Sequence, residues 1–105
     1  MKTNGNYNFE VFNLVPVGSQ KSFNGKAIVI KETKNGVDVF SLKSYNTIVA
    51  TYNSVTNELK INGYYSSTTN KHLNSFLNYI GKKSNYVGKK SMNKKEVLEY
   101  VKNNN

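Results

Sequence analysis

A chain of 105 residues with 37% hydrophobic and 12% aromatic content can bury one modest core, and no apolar run approaches the roughly 20 residues a membrane span needs. Without cysteine, disulfides and thiolate metal sites are excluded; with six carboxylates and one histidine, no cofactor and no metal are expected. The net charge is +9 and every basic side chain is lysine, which points to an anionic partner met by hydrated point charges rather than by the bidentate forks of arginine.

Residues 1–6 read as a flexible polar tail without the apolar stretch of a secretory signal, so a reducing cytoplasm is the expected location. Residues 7–14 alternate, with Tyr7, Phe9 and Val11 on one face and Asn8, Glu10 and Phe12 on the other. This is a strand ended by Pro16 and Gly18. A polar loop anchored by Phe23 follows. Residues 26–32 and 37–42 are β-rich and flank Asn35-Gly36, which suits a type I′ hairpin because both central residues need positive φ. Residues 48–52 and 58–62 add two more strands.

The stretch from Ser44 to Gly81 organises the rest of the chain. Past Gly63, Leu73, Phe76, Leu77 and Ile80 recur at helical spacing, so a helix over 68–80 is expected to lie across one face of the sheet. Ser67 or Thr68 would cap its start, and Gly81 would take the left-handed position after its end. Residues 82–92 form a basic linker. Asn93 with Glu96 resembles a capping box opening a short helix over 93–102, with Val97, Leu98 and Val101 as its apolar stripe. The fold class is therefore α+β: a four- to five-stranded antiparallel meander with one main helix packed on the sheet and a short C-terminal helix, in a single domain.

Few residues are placed for catalysis. His72 has no second histidine beside it and reads first as a boundary residue bonded to a tyrosine or to backbone. Asp38 with Glu58-Leu59-Lys60 has the outline of a metal-dependent nuclease, but an ordinary cross-strand ion pair explains it better. Ser91 and Lys94 match S-x-x-K without its partner motifs, and no phosphate-binding glycine loop is present. A non-enzymatic protein is expected.

Charge segregation is the stronger signal. No acidic residue stands between Leu59 and Lys95, a span holding eight lysines interleaved with tyrosines. Lysines can track a phosphate backbone while exposed tyrosines stack on bases. The candidate contacts are Lys71, Lys82, Lys83, Lys89, Lys90, Tyr64, Tyr65, Tyr86 and His72. On the alternative reading the tyrosines are half-buried and the lysines only solubilise.

The run Tyr45-Asn46-Thr47-Ile48-Val49-Ala50 and the segment Gly63-Tyr64-Tyr65-Ser66-Ser67-Thr68-Thr69, continuing through His72, Asn74 and Phe76, resemble a family of small uncharacterised proteins of bacteriophages and plasmids in low-GC Gram-positive bacteria. The likeness implies a mobile-element origin and action inside a host cell. The function expected is that of a small phage-type binding protein engaging a nucleoprotein target, such as an inhibitor of a host defence system of the CRISPR-Cas kind. The alternative is a direct, weakly sequence-specific nucleic-acid-binding protein. No membrane partner is expected, and the 7–13 edge could pair with a copy of itself into a homo-oligomer.

Overall fold

Turn chemistry lays the strands side by side. Asn35 and Gly36 both take positive φ, at 52° and 81°, as a type I′ turn demands. Tyr45 carries the next turn at φ 55°. The third is built by Asn53, whose Oδ1 accepts the Val55 and Thr56 amides at 2.9 and 3.0 Å, with Asn57 at φ 60°. The computed structural model describes residues 7–18 and 21–104; the tail expected at 1–6 lies outside the described residues. Among the described residues, β1 (Tyr7–Asn13), β2 (Ala27–Lys34), β3 (Val37–Ser44), β4 (Thr47–Asn53) and β5 (Glu58–Ile61) are followed by α1 (Ser67–Lys83) and α2 (Lys94–Asn104). Each strand pairs antiparallel with its chain neighbours, in the order β1-β2-β3-β4-β5. The fold is the α+β arrangement expected, with all five strands in one sheet.

Register decides which side chains meet. Val29, Leu42, Ala50 and Ile61 stand in one row across four strands, and Phe40, Tyr52 and Leu59 in the next. All seven are buried. Leu73, Phe76, Leu77 and Ile80 of α1 close over these rows, so the helical stripe is the lid of the core. Leu77 is fully enclosed. Leu77→Ala is expected to cost about 2–5 kcal/mol, read as a lowered urea midpoint with an unchanged slope.

The helix ends differ from expectation. Ser66, one residue earlier than the expected caps, is the N-cap, its Oγ accepting the Thr69 amide at 3.1 Å. Gly81 does not end α1. The helix continues through Lys83 to Ser84, whose N–H donates to the Ile80 carbonyl, and Gly81 instead leaves room for the Lys90 stem: a Cβ there would lie 2.5 Å from the Lys90 Cε. The capping box of α2 is complete, Asn93 Oδ1 accepting the Glu96 amide and Glu96 Oε1 accepting the Asn93 amide, both at 2.9 Å. Of the apolar stripe expected for α2, Val97 is buried but Leu98 is 49% exposed.

The two sheet edges are treated differently. At β5 the Leu59 carbonyl accepts the Tyr100 hydroxyl at 2.6 Å, so α2 covers that edge. At β1, Phe12 stands opposite Val29 and packs on Tyr79, with ring centroids 5.6 Å apart. Because side chains alternate, Tyr7, Phe9 and Val11 must then point away from the helices, and all three are exposed.

Candidate anionic-partner surface

Residues 67–104, the helix layer, hold eight lysines against two glutamates, a net of +6 out of the chain's +9. Residues 7–61 hold six lysines against four carboxylates, a net of only +2. Within the helix layer, Lys71 and Lys82 are eleven residues apart on α1. At 100° and 1.5 Å per residue they share the solvent face, about 16 Å apart. Lys83 ends the helix beside Lys82, and the Lys90 stem lies across Gly81, so three exposed lysines gather at the last turn of α1. The negative end of the helix dipole favours cations there. Lys89 does not join them: its ammonium is paired with Glu96. That bond and the Asn93 amide hold the Glu96 carboxyl below the usual carboxylate range.

Beside this basic end runs a cleft of about 480 Å³ between the segment following β1 and α1. Phe12, Leu14, Val17 and Tyr79 line it, and Lys82 and Lys83 stand among its lining residues. The Val17 amide donates to Ser75 Oγ at 3.0 Å, which ties the segment to the helix. At the other end of α1, Tyr65 is exposed and Tyr64 half-buried, with the Lys94 ammonium 5.4 Å from the Tyr64 ring centre.

Two of the candidate contacts belong to the interior instead. Tyr86 is only 7% exposed; its ring meets Tyr52 edge-on at 5.6 Å and its hydroxyl donates to the Lys89 carbonyl at 2.5 Å. It cannot stack on a base. It anchors the linker, together with buried Met92, whose carbonyl accepts from Asn70 and whose amide donates to Asn74. Burial pushes the Tyr86 phenol up to about 12. His72 is 1% exposed, where the sequence reading made it a boundary or contact residue. Its Nδ1 lies 2.8 Å from Ser44 Oγ, which lies 3.0 Å from Thr69 Oγ1. Phe23 meets its ring edge-on at 4.5 Å, and Tyr45 lies over it at 5.8 Å.

A serine within reach of a histidine is half of a nucleophile–base pair. Here both groups are sealed in the core, so the network locks the β3–β4 turn to α1. Desolvation lowers the His72 pKa. The folded protein therefore holds a neutral imidazole, while the unfolded chain gains a proton near the ordinary value of about 6.5. More protons bind to the unfolded state on acidification, so this part of the stability is full above that value and is lost as pH falls toward the folded pKa. The unfolding free energy is expected to fall between pH 7.5 and 5.5 by at most about 1.4 kcal/mol per pH unit, read as a lowered melting temperature. His72→Gln should flatten the profile; an unchanged slope would show that another group is responsible.

The nuclease outline dissolves in three dimensions. Asp38 shares a sheet face with Phe40 and accepts the Thr33 hydroxyl at 2.5 Å, whereas Glu58 and Lys60 flank inward-facing Leu59 and so lie on the opposite face. The cross-strand ion pair expected there is not formed either, since Glu58 stands opposite Asn53 and Lys60 opposite Thr51. Among the described residues no group of three or more His, Asp or Glu side chains could hold a metal ion. No helix among them is long and apolar enough to cross a membrane.

Sequence signals existed for part of this. Ser44 is a polar residue on the inward row of β3, and Asn70 and Asn74 flank the α1 stripe, which is the pattern that marks this interior network in the sequence. No curated protein and no solved structure matches the chain. A family model matches the chain from Phe12, near the end of β1, to Lys95 in α2: over residues 12–95 the chain belongs to the family of unknown function DUF8033.

Proposed function

We propose that this is a non-enzymatic binding protein whose helix layer docks on an anionic macromolecule, a nucleoprotein of the host cell first. What supports this reading is the uneven charge, +6 on residues 67–104 against +2 on residues 7–61, with Lys71, Lys82, Lys83 and Lys90 exposed. The phage and plasmid resemblance is in keeping with a target in a host cell, a defence effector of the CRISPR-Cas kind being one such target.

A second reading, direct and weakly sequence-specific binding of bare nucleic acid, is favoured by the apolar cleft at the lysine cluster. A volume of about 480 Å³ beside two ammonium groups can take an unstacked base while its phosphate meets Lys82 or Lys83. Gel shifts on single- and double-stranded DNA and RNA at two salt concentrations separate the two. The second reading requires retardation that weakens steeply with salt. The first requires little retardation and capture of a nucleoprotein from host extract, and capture of neither nucleic acid nor nucleoprotein would sink both.

A further inference from the structure

The β1 edge is unlike the other edge of the sheet. β5 is four residues long and carries Tyr100 of α2 on its outward carbonyl. β1 is seven residues long, is paired with β2 without a break in register, contains no lysine and no proline, and has no cover among the described residues. Charges, prolines, bulges and short length are the usual protections of an edge, and β1 has one charge, Glu10.

Which backbone groups are free follows from one hydrogen bond. The Leu14 amide donates to the Ala27 carbonyl at 2.9 Å, so in the β1–β2 ladder the even-numbered residues face β2. The N–H and C=O groups of Tyr7, Phe9, Val11 and Asn13 therefore point outward. The side chains of the same four lie on the helix-free face, where Phe9 is 56% and Val11 54% exposed. One strand thus offers free ladder groups and an apolar strip together.

We infer that β1 is a dimerisation edge, pairing antiparallel with β1 of a second copy about a two-fold axis through Phe9. This register sets Phe9 opposite its counterpart and Tyr7 opposite Val11. All are outward-facing residues, so hydrogen-bonded pairs form with the apolar strips on one side. On the other face Asn8 meets Glu10, and the two Glu10 carboxylates do not oppose each other. The register that sets Phe9 opposite Val11 would stack those carboxylates, whereas the axis through Phe9 keeps them apart and puts the largest apolar ring of the strip on itself. Of the helix-layer lysines, those of α2 sit at the far ends of the joined sheet, because α2 packs against β5, while Lys82 and Lys83 stand by the cleft that Phe12 lines, past the C-terminal end of the paired stretch. The inference does not rest on the helix-layer reading: the apolar strip it uses is Tyr7, Phe9 and Val11, on the face opposite the helices.

An edge-to-edge contact of this length lies at the low end of specific interfaces, below about 1,200 Å² in total, so dimerisation at micromolar concentrations is expected. Sedimentation equilibrium tests it on the wild-type chain, Val11→Pro and Phe9→Lys. Proline at 11 removes an outward donor and leaves the β2 ladder whole; lysine at 9, beside Glu32 of β2, replaces the apolar ring on the axis with a solvated charge. The wild type should reach twice the monomer mass, and both variants should remain monomeric with an unchanged circular dichroism spectrum. Should Val11→Pro unfold, Phe9→Lys alone decides. A wild type still monomeric at roughly 500 μM, or a dimer that survives Phe9→Lys, would overturn the inference.

Discussion

Reversing Lys71, Lys82, Lys83 and Lys90 to glutamate together is expected to lower affinity for the anionic partner by about two to three orders of magnitude near physiological salt. Each lysine that neutralises a phosphate contributes a slope of about 0.7–0.9 in log K against log salt, so four lost contacts remove about 3 from it. The set differs from a choice made on sequence clustering, which would include Lys89. Lys89 holds Glu96, and Glu96 closes the α2 capping box, so a glutamate at 89 would repel that carboxylate and confound folding with binding. The four chosen residues are exposed, and what the fold loses with them is the dipole compensation at the end of α1 and the packing of the Lys90 stem on Gly81. The thermal transition should stay cooperative. Unchanged affinity and salt slope in a folded quadruple variant would remove the helix layer as the binding surface.

Tyr86→Ala is expected to destabilise the fold by about 3–5 kcal/mol, because it empties a site enclosed by Tyr52 and the linker. Tyr86→Phe keeps the ring and leaves the Lys89 carbonyl without its phenol donor, for a loss of about 1–3 kcal/mol. Urea unfolding of both variants measures the ladder. The wild-type phenol, raised to about 12 by burial first and by the neighbouring Tyr100 and Tyr52, should stay neutral in an absorbance titration carried to pH 11. A Tyr86→Ala chain that keeps its stability and loses binding would return this residue to the partner surface. Gly88 belongs to the same anchor, since a Cβ there would lie 2.6 Å from the Tyr86 hydroxyl oxygen.

Elements with local causes were legible in the sequence. Asn35-Gly36 sets its own turn, the Leu73–Ile80 stripe sets its own helix, and Asn93 with Glu96 caps itself. What depends on a distant partner was not legible. Burial of Tyr86 needs Tyr52, and burial of His72 needs Phe23 and Ser44, residues 34, 49 and 28 positions away. Gly81 looked like a helix stop because its composition fits one; the Lys90 stem crossing it is visible only in space. For the same reason the strand at 7–13 displays its alternation plainly but not which face turns inward, a matter settled by Phe12 meeting Val29. The lysine segregation was legible, whereas the pairing that withdraws Lys89 was not.

The unbroken nearest-neighbour order of the five strands also bears on how the chain reaches its final state. No strand waits for a remote stretch to arrive, so each closure spends little chain entropy and can template the next. Such a sheet can zip outward from the tight Asn35-Gly36 corner. α1 and α2 follow the whole sheet in the chain, so the surface they cover is built entirely from segments that precede them.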